Sequence, residues 1–289
     1  MKGMSRRSCE TRYPDLGEDG MAMMESALTR DDGVQLHYWS TSGDVTVPLV
    51  VFTHGGAMDH EMWESQAATF APRYRVLTHD VRGHGLSQCS GAQFSLDSAC
   101  DDLGALIDAA GAESAVLVGH SFGATISQLL ALRHPEKVRA FVGIGAACAT
   151  MPQAPMARMR QSMNPIALSV LGQARVREMF ADMAGATSSV KEYARTAIGA
   201  ISDDVFAAIM RTGFGHPVTV PQDYALGVPL LLLQGEKEPY GAFLGNSSRW
   251  AERDGTELIT VPGAAHNANQ DAPDFVNSRI GTFLDSLEQ

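Results

Sequence analysis

Apolar positions along this chain fall into two periods. The run Pro48-Leu-Val-Val-Phe-Thr53 is almost continuously apolar, rich in β-branched residues, and has no polar face. Such a run suits a strand buried on both sides, as in a parallel sheet. Similar short runs stand at Arg75–His79, Ser114–Gly119, Val138–Ile144, Pro229–Gln234 and Glu257–Val261. Between them the spacing lengthens to that of a helix. Helices are predicted over Glu61–Ala71, over Phe122–His134 (stopped by Pro135), near Ala242–Arg253 and near Pro273–Leu287. Another begins behind Ser95, whose hydroxyl can cap it. Its Leu96, Leu103, Leu106 and Ile107 share one face, and Gly111 marks its end. Toward the N-terminus, apolar alternation on both sides of Asp32-Gly33 within Ser26–Ser40 reads as a hairpin.

Strand–helix alternation with short links builds βαβ units and a parallel sheet. The alternation lapses over Ala147–Gly227, which contains Pro152, Pro155, Pro165, Pro217 and Pro221 and helical patches at Ala174–Met183 and Lys191–Ile201. The expected fold class is α/β, a mostly parallel central sheet with helices on both faces. Residues 25–146 and 228–289 form its core, and residues 147–227 form an inserted helical cap. Residues 1–24 read as a disordered tail, with Met21, Met23 or Met24 as alternative starts.

Composition narrows the classes. The chain has 289 residues, 45% of them hydrophobic, enough for one substantial core. A net charge of −11 repels phosphate backbones, so nucleic acid is not an expected partner. No stretch reaches the roughly 18 apolar residues of a membrane span, and no membrane partner is expected. Lys2, Arg6 and Arg7 are not followed by the apolar run of a secretory signal. Cys9, Cys89, Cys100 and Cys148 fit no metal-binding spacing and read as reduced thiols. The expected compartment is therefore the cytoplasm.

The chemistry concentrates at strand ends. Gly119-His120-Ser121-Phe122-Gly123 lies between the apolar strand Ala115–Val118 and the helix that begins at Phe122. A chain turning that sharply lifts the Ser121 hydroxyl clear of the sheet, beside free helix N–H groups that favour developing negative charge. Side chains at Gly119 and Gly123 would collide with neighbouring backbone. A hydroxyl needs a base to act as a nucleophile. Of nine histidines, His266 in Gly263-Ala264-Ala265-His266-Asn267 stands past the last apolar strand, on the edge where Ser121 stands. His37, His134 and His216 read as surface or packing residues, and His120 as packing beside the elbow.

The base needs a carboxylate to fix its tautomer. Strand Pro229–Gln234 leads into Gly235-Glu236-Lys237-Glu238-Pro239; Glu238 is the expected acid and Glu236 the alternative. Two backbone N–H groups must hold an oxyanion. Phe122 supplies one, and Gly56 in His54-Gly55-Gly56-Ala57 the other, with Gly55 and Ala57 as alternatives. Asp80-Val-Arg82-Gly83-His84-Gly85-Leu-Ser87 reads as structural, with Asp80 and Arg82 knitting the loop through charged hydrogen bonds. Met151, Met156, Met159 and Met163 read as packing rather than as a pocket lining.

Taken together, HGG, DVRGHGLS, GHSFG, GEKE and GAAH, in that order from Val34 to Leu287, resemble the α/β-hydrolase superfamily, in particular its small capped hydrolases. The resemblance implies cleavage of a small-molecule carboxylic ester or lactone through an acyl-enzyme, with no metal and no organic cofactor. Carbon–carbon bond hydrolysis, perhydrolysis, or a ligand receptor retaining the fold are the alternatives. The expected partner is a small-molecule substrate, and a homo-oligomer is left open. In the family the usual acid at the position of Glu238 is aspartate, so the longer side chain must be seated further back. Dehalogenases and epoxide hydrolases of this fold carry aspartate at the elbow, and Ser121 argues against both.

Overall fold

The computed structural model describes residues 23–151, 170–215, 224–239 and 247–288. Strands β1 (Met23–Thr29) and β2 (Gln35–Thr41) form the expected hairpin, turned by Gly33 at φ +83°. Met23 and Met24 pair with Thr41 and Ser40, so the last residues assigned to the tail belong to the sheet. The rest of that tail, residues 1–22, lies outside the described residues.

The other strands are β3 (Leu49–Thr53), β4 (Arg75–His79), β5 (Ala115–His120), β6 (Val138–Ile144), β7 (Leu230–Gly235) and β8 (Leu258–Val261). All eight join one sheet in the order β1-β2-β4-β3-β5-β6-β7-β8. Strand β2 runs antiparallel to both its neighbours, β1 at the edge and β4, and every pair from β4 to β8 is parallel. Every residue of β3, β4 and β5 is buried, the signature of a sheet covered on both faces.

Helices α1 (Glu64–Phe70), α2 (Leu96–Ala109) and α3 (Phe122–Arg133) alternate with the strands. The Ser95 hydroxyl accepts the Ser98 N–H at 3.0 Å, the cap read from sequence. Helix α1 is shorter than expected because residues 60–63 form a 3-10 turn capped by Asp59. Between β6 and β7 stand α4 (Gln173–Ala184), α5 (Ser188–Ala200) and α6 (Asp203–Gly215). Phe141 of β6 pairs directly with Leu230 of β7, so these helices are an insertion that leaves the sheet continuous. Met156, Met159 and Met163 lie outside the described residues, and Met151 is buried. The chain closes with α7 (Ser247–Asp254), the single turn α8 (Ala268–Asp271) and α9 (Pro273–Ser286). No described helix is long and apolar enough to cross a membrane.

The loop after β4 is braced as the sequence reading expects, each charge through its own partners. Asp80 and Arg82 both brace it, but not through each other. Arg82 forks onto Asp102 at 2.6 and 2.7 Å and also reaches Asp32 at 2.8 Å. Burial opposes its charge, yet those carboxylates hold the guanidinium above its usual range. Asp80 accepts from the His60 ring at 2.8 Å and from the Leu86 N–H at 2.7 Å. Burial pushes its carboxyl up, but His60 and the N–H bonds keep it below its usual range. The two side chains thus serve different walls of the same loop.

Candidate active site

Ser121 sits between β5 and α3 at φ 48°, ψ −111°. A non-glycine residue in that region costs on the order of 1–3 kcal/mol and persists only where the surroundings impose it. Here they do. The Ser121 N–H donates to the Ile144 carbonyl at 3.0 Å, tying the turn to the end of β6. A Cβ on Gly119 would stand 2.6 Å from the Ala124 Cα, and one on Gly123 would overlap the carbonyls of Thr53 and His54. The strand can enter the helix this abruptly only because both positions lack side chains.

His266 comes from the loop after β8. Its Nδ1–H donates to the Glu238 carboxylate, 2.9 Å from Oε2 and 3.1 Å from Oε1. The Glu238 side chain is only 2% exposed and that of His266 13%, so the pair is largely desolvated. Glu236 is turned elsewhere: its Oε2 accepts the Gly263 N–H at 2.8 Å. Between the two, the Lys237 N–H donates to the Ala264 carbonyl at 2.8 Å. The loops after β7 and β8 are thereby laced together, with Glu238 on the His266 ring and Glu236 on the Gly263 backbone.

His120 adds a support. Its Nε2–H donates to the His266 carbonyl at 3.0 Å, and the two rings meet edge-on with centroids 4.6 Å apart. Burial first, and then the proximity of His266, hold the His120 imidazole well below its ordinary pKa. It is a neutral donor that fixes the loop carrying His266.

The loop after β3 is clamped by two further imidazoles. His54 Nδ1–H donates to the Gly55 carbonyl at 2.8 Å, while its Nε2 accepts the Val81 N–H at 2.9 Å. His84 Nε2 accepts the Ala57 N–H at 3.0 Å, while its Nδ1–H donates to the Arg82 carbonyl. Both rings are fully buried, and burial drives His84 down to about 4 and His54 further below its ordinary value. Gly56 lies between the two clamps, and a Cβ there would come 3.4 Å from that of Phe122. Among the described residues neither the Gly56 nor the Phe122 N–H has an acceptor. Ala57, held at φ 64°, has spent its N–H on His84 and drops out as an alternative donor. A Cβ on Gly55 would overlap the His120 ring, so the loop after β3, the turn at Ser121 and the loop of His266 touch through one imidazole.

The inserted helices are bound to these same loops. The Asp271 carboxylate accepts from Ala265 N–H at 2.9 Å, Ala186 N–H at 2.8 Å and Thr187 N–H at 3.1 Å. On the far side, the Tyr193 hydroxyl of α5 donates to Asp59 at 2.8 Å. Burial and the neighbouring Asp80 raise the Asp59 carboxyl to about 6. The two imidazole clamps are not written in local sequence pattern: His54 stands in the HGG motif and His84 in GHG, but the N–H groups they accept, of Val81 and Ala57, lie 27 residues away.

His216 lies outside the described residues, His37 pairs with Glu25, and His134 is exposed beside Glu136. Among the described residues no group of three or more His, Cys, Asp or Glu side chains is arranged to hold a metal.

The profile of a family described as the alpha/beta hydrolase fold matches residues 48–176. Among curated proteins, the chain is 27% identical over 267 residues to the 2-(acetamidomethylene)succinate hydrolase of Mesorhizobium japonicum, covering 83% of this chain and 88% of that one. It is 25% identical over 266 residues to 3-oxoadipate enol-lactonase 2 of Acinetobacter baylyi, covering 90% and 96%. Among solved structures, a thermophilic esterase from Thermogutta terrifontis superposes with a TM-score of 0.74 at 20% identity, covering 92% of this chain and all of that one.

Proposed function

We propose, for a chain that belongs to the α/β-hydrolase fold superfamily, a serine hydrolase that cleaves a small-molecule carboxylic ester or lactone through an acyl-enzyme. Ser121 is the nucleophile, His266 the general base and Glu238 its orienting acid. The observation that carries this reading is the Glu238 carboxylate on Nδ1 of His266, on the edge of the sheet where Ser121 is held in its strained turn. With Nδ1–H committed to Glu238, the other ring nitrogen is left unprotonated and able to take a proton.

The chemistry then follows. His266 removes the Ser121 proton as Oγ attacks the carbonyl carbon. The oxyanion is held by the N–H groups of Phe122 and Gly56, whose orientation is set before substrate arrives by His84, His54 and the start of α3. Removing one such donor typically costs on the order of 10²–10³ in rate. His266 passes its proton to the leaving oxygen and the acyl group stays on Ser121. Water, deprotonated by the same imidazole, releases the acid and restores the serine. Glu238 holds the imidazolium by charge in both halves.

A panel of p-nitrophenyl esters beside simple lactones and 1,3-diketones tests this assignment. Turnover of esters or lactones with a burst of one p-nitrophenol per chain is expected. Cleavage confined to diketones would move the reading to carbon–carbon hydrolysis.

A further inference from the structure

The order of the sheet divides the two halves of a substrate. Ser121 leaves β5; β3 lies on one side of it, and β6, β7 and β8 on the other. His266 arrives from the β8 side, its ring 3.2 Å from where a Cβ on Gly145, just past β6, would stand. A base that must protonate the leaving oxygen holds the leaving group on its own side. The acyl group is then directed to the other side, toward the loops after β3 and β4.

That side is roofed by α6. Ile209 is 1% exposed, and its Cγ2 lies 3.5 Å from where a Cβ on Gly56 would be. One turn earlier, Val205 presses on Gly83 so closely that a Cβ there would come within 2.7 Å of it. Val205 and Ile209, four apart, share the helix face turned to the core. The Gly91 N–H donates to Asp204 at 2.6 Å and pins the start of the same helix. Beneath it the Phe122 ring stacks on Phe94 with centroids 5.9 Å apart. The wall is apolar and fixed at its base. Among the described residues on this side, Asp59 is a carboxylate hydrogen-bonded to Tyr193, Asp80 is paired with the His60 ring, and the Arg82 guanidinium is consumed by Asp102 and Asp32, so none of these offers a free positive charge to an anionic acyl group.

Resting on the hydrolase reading above, we infer that Ile209 is a specificity-determining residue and that the enzyme takes esters or lactones whose acyl part is short, apolar and uncharged. This separates the chain from the relatives named for succinate and oxoadipate derivatives.

The test is kcat/KM for p-nitrophenyl acetate, butyrate, hexanoate and the monoanionic hemisuccinate, on the parent chain, Ile209→Val and Ile209→Ala. The parent should prefer acetate to hexanoate and butyrate to hemisuccinate, each by about tenfold or more, the selectivity a few methylenes or a repelled charge supply. Ile209→Ala should raise the hexanoate-to-acetate ratio by about tenfold, with Ile209→Val between. Ile209→Val keeps the test alive if the alanine variant fails to fold. A parent that favours the hemisuccinate, or ratios unchanged in both variants, overturns the inference. Labelling of the parent by a fluorophosphonate separates the two levels. Labelled protein with unchanged ratios sinks only the selectivity; unlabelled protein inert on every ester sinks the hydrolase reading itself.

Discussion

Nε2 of His84 accepts the N–H of Ala57 over 3.0 Å. The bond requires a neutral imidazole, because a protonated ring has no lone pair to offer. It holds Ala57 at φ 64°, directly after Gly56, where a Cβ would come 3.4 Å from that of Phe122. The path of the Gly55–Ala57 loop, to which the proposed mechanism assigns an oxyanion donor, is thus made to depend on a buried neutral histidine.

Stability should therefore fall in mild acid. Burial lowers His84 and His79 to about 4, against an ordinary value of 6.5 in the unfolded chain. Between those values the unfolded state binds more protons, so stability is full above about pH 6.5 and is lost as pH falls toward 4. Each of the two contributes on the order of 3 kcal/mol across that window. Asp59, raised to about 6, acts with the opposite sign and returns part of the loss. Urea midpoints at pH 7.5, 6 and 5 should fall steadily; a flat series would show that these imidazoles are not buried and neutral.

Glu238→Gln should keep the fold and lose kcat by about 10⁴, as loss of the orienting charge does in related triads. Glu236→Gln should stay near parental turnover, because an amide oxygen can still accept the Gly263 N–H that Glu236 holds. Glu238→Asp should retain partial activity, its charge kept and its reach shortened. Steady-state kinetics on one ester decide the matter: an inactive Glu236→Gln beside a healthy Glu238→Gln would exchange the two roles.

What the sequence made legible, and what it did not, divides by distance along the chain. The strand Ala115–Val118 and the glycines around Ser121 mark a sharp turn because sterics between neighbours allow little else there. His266 is singled out by the rule that reactive groups gather at strand ends, and the structure places its Nδ1 on Glu238. Spacing alone could not decide between Glu236 and Glu238, two residues apart on one loop; the lacing of that loop to Gly263 and Ala264 turns them apart. The clamps by His54 and His84 and the seat of Ile209 on Gly56 join segments distant in sequence, and no local pattern records them. The partners through which Arg82 braces its loop, Asp102 on α2 and Asp32 in the hairpin turn, are likewise distant in sequence, so the bracing was legible from the residue types but its partners were not.

Arg82→Leu should cost about 3 kcal/mol of stability. It leaves the Asp102 carboxylate, 4% exposed, with Arg30 as its remaining ion-pair partner among the described residues. Double replacement with Asp102→Leu should recover part of that loss, since no buried charge is then stranded. Denaturant midpoints of the two variants and the parent test it; a double variant less stable than Arg82→Leu would contradict the account of a stranded charge.

In the proposed reaction the hydroxyl of Ser121 forms the covalent bond. Intact-mass spectrometry after treatment with a fluorophosphonate, on the parent and on folded Ser121→Ala, tests it most directly. One adduct per chain, mapped to Ser121 and absent from the variant, is the predicted result, together with a loss of ester turnover on the order of 10⁴ or more. A folded Ser121→Ala chain that still takes the label and still turns over esters would contradict it.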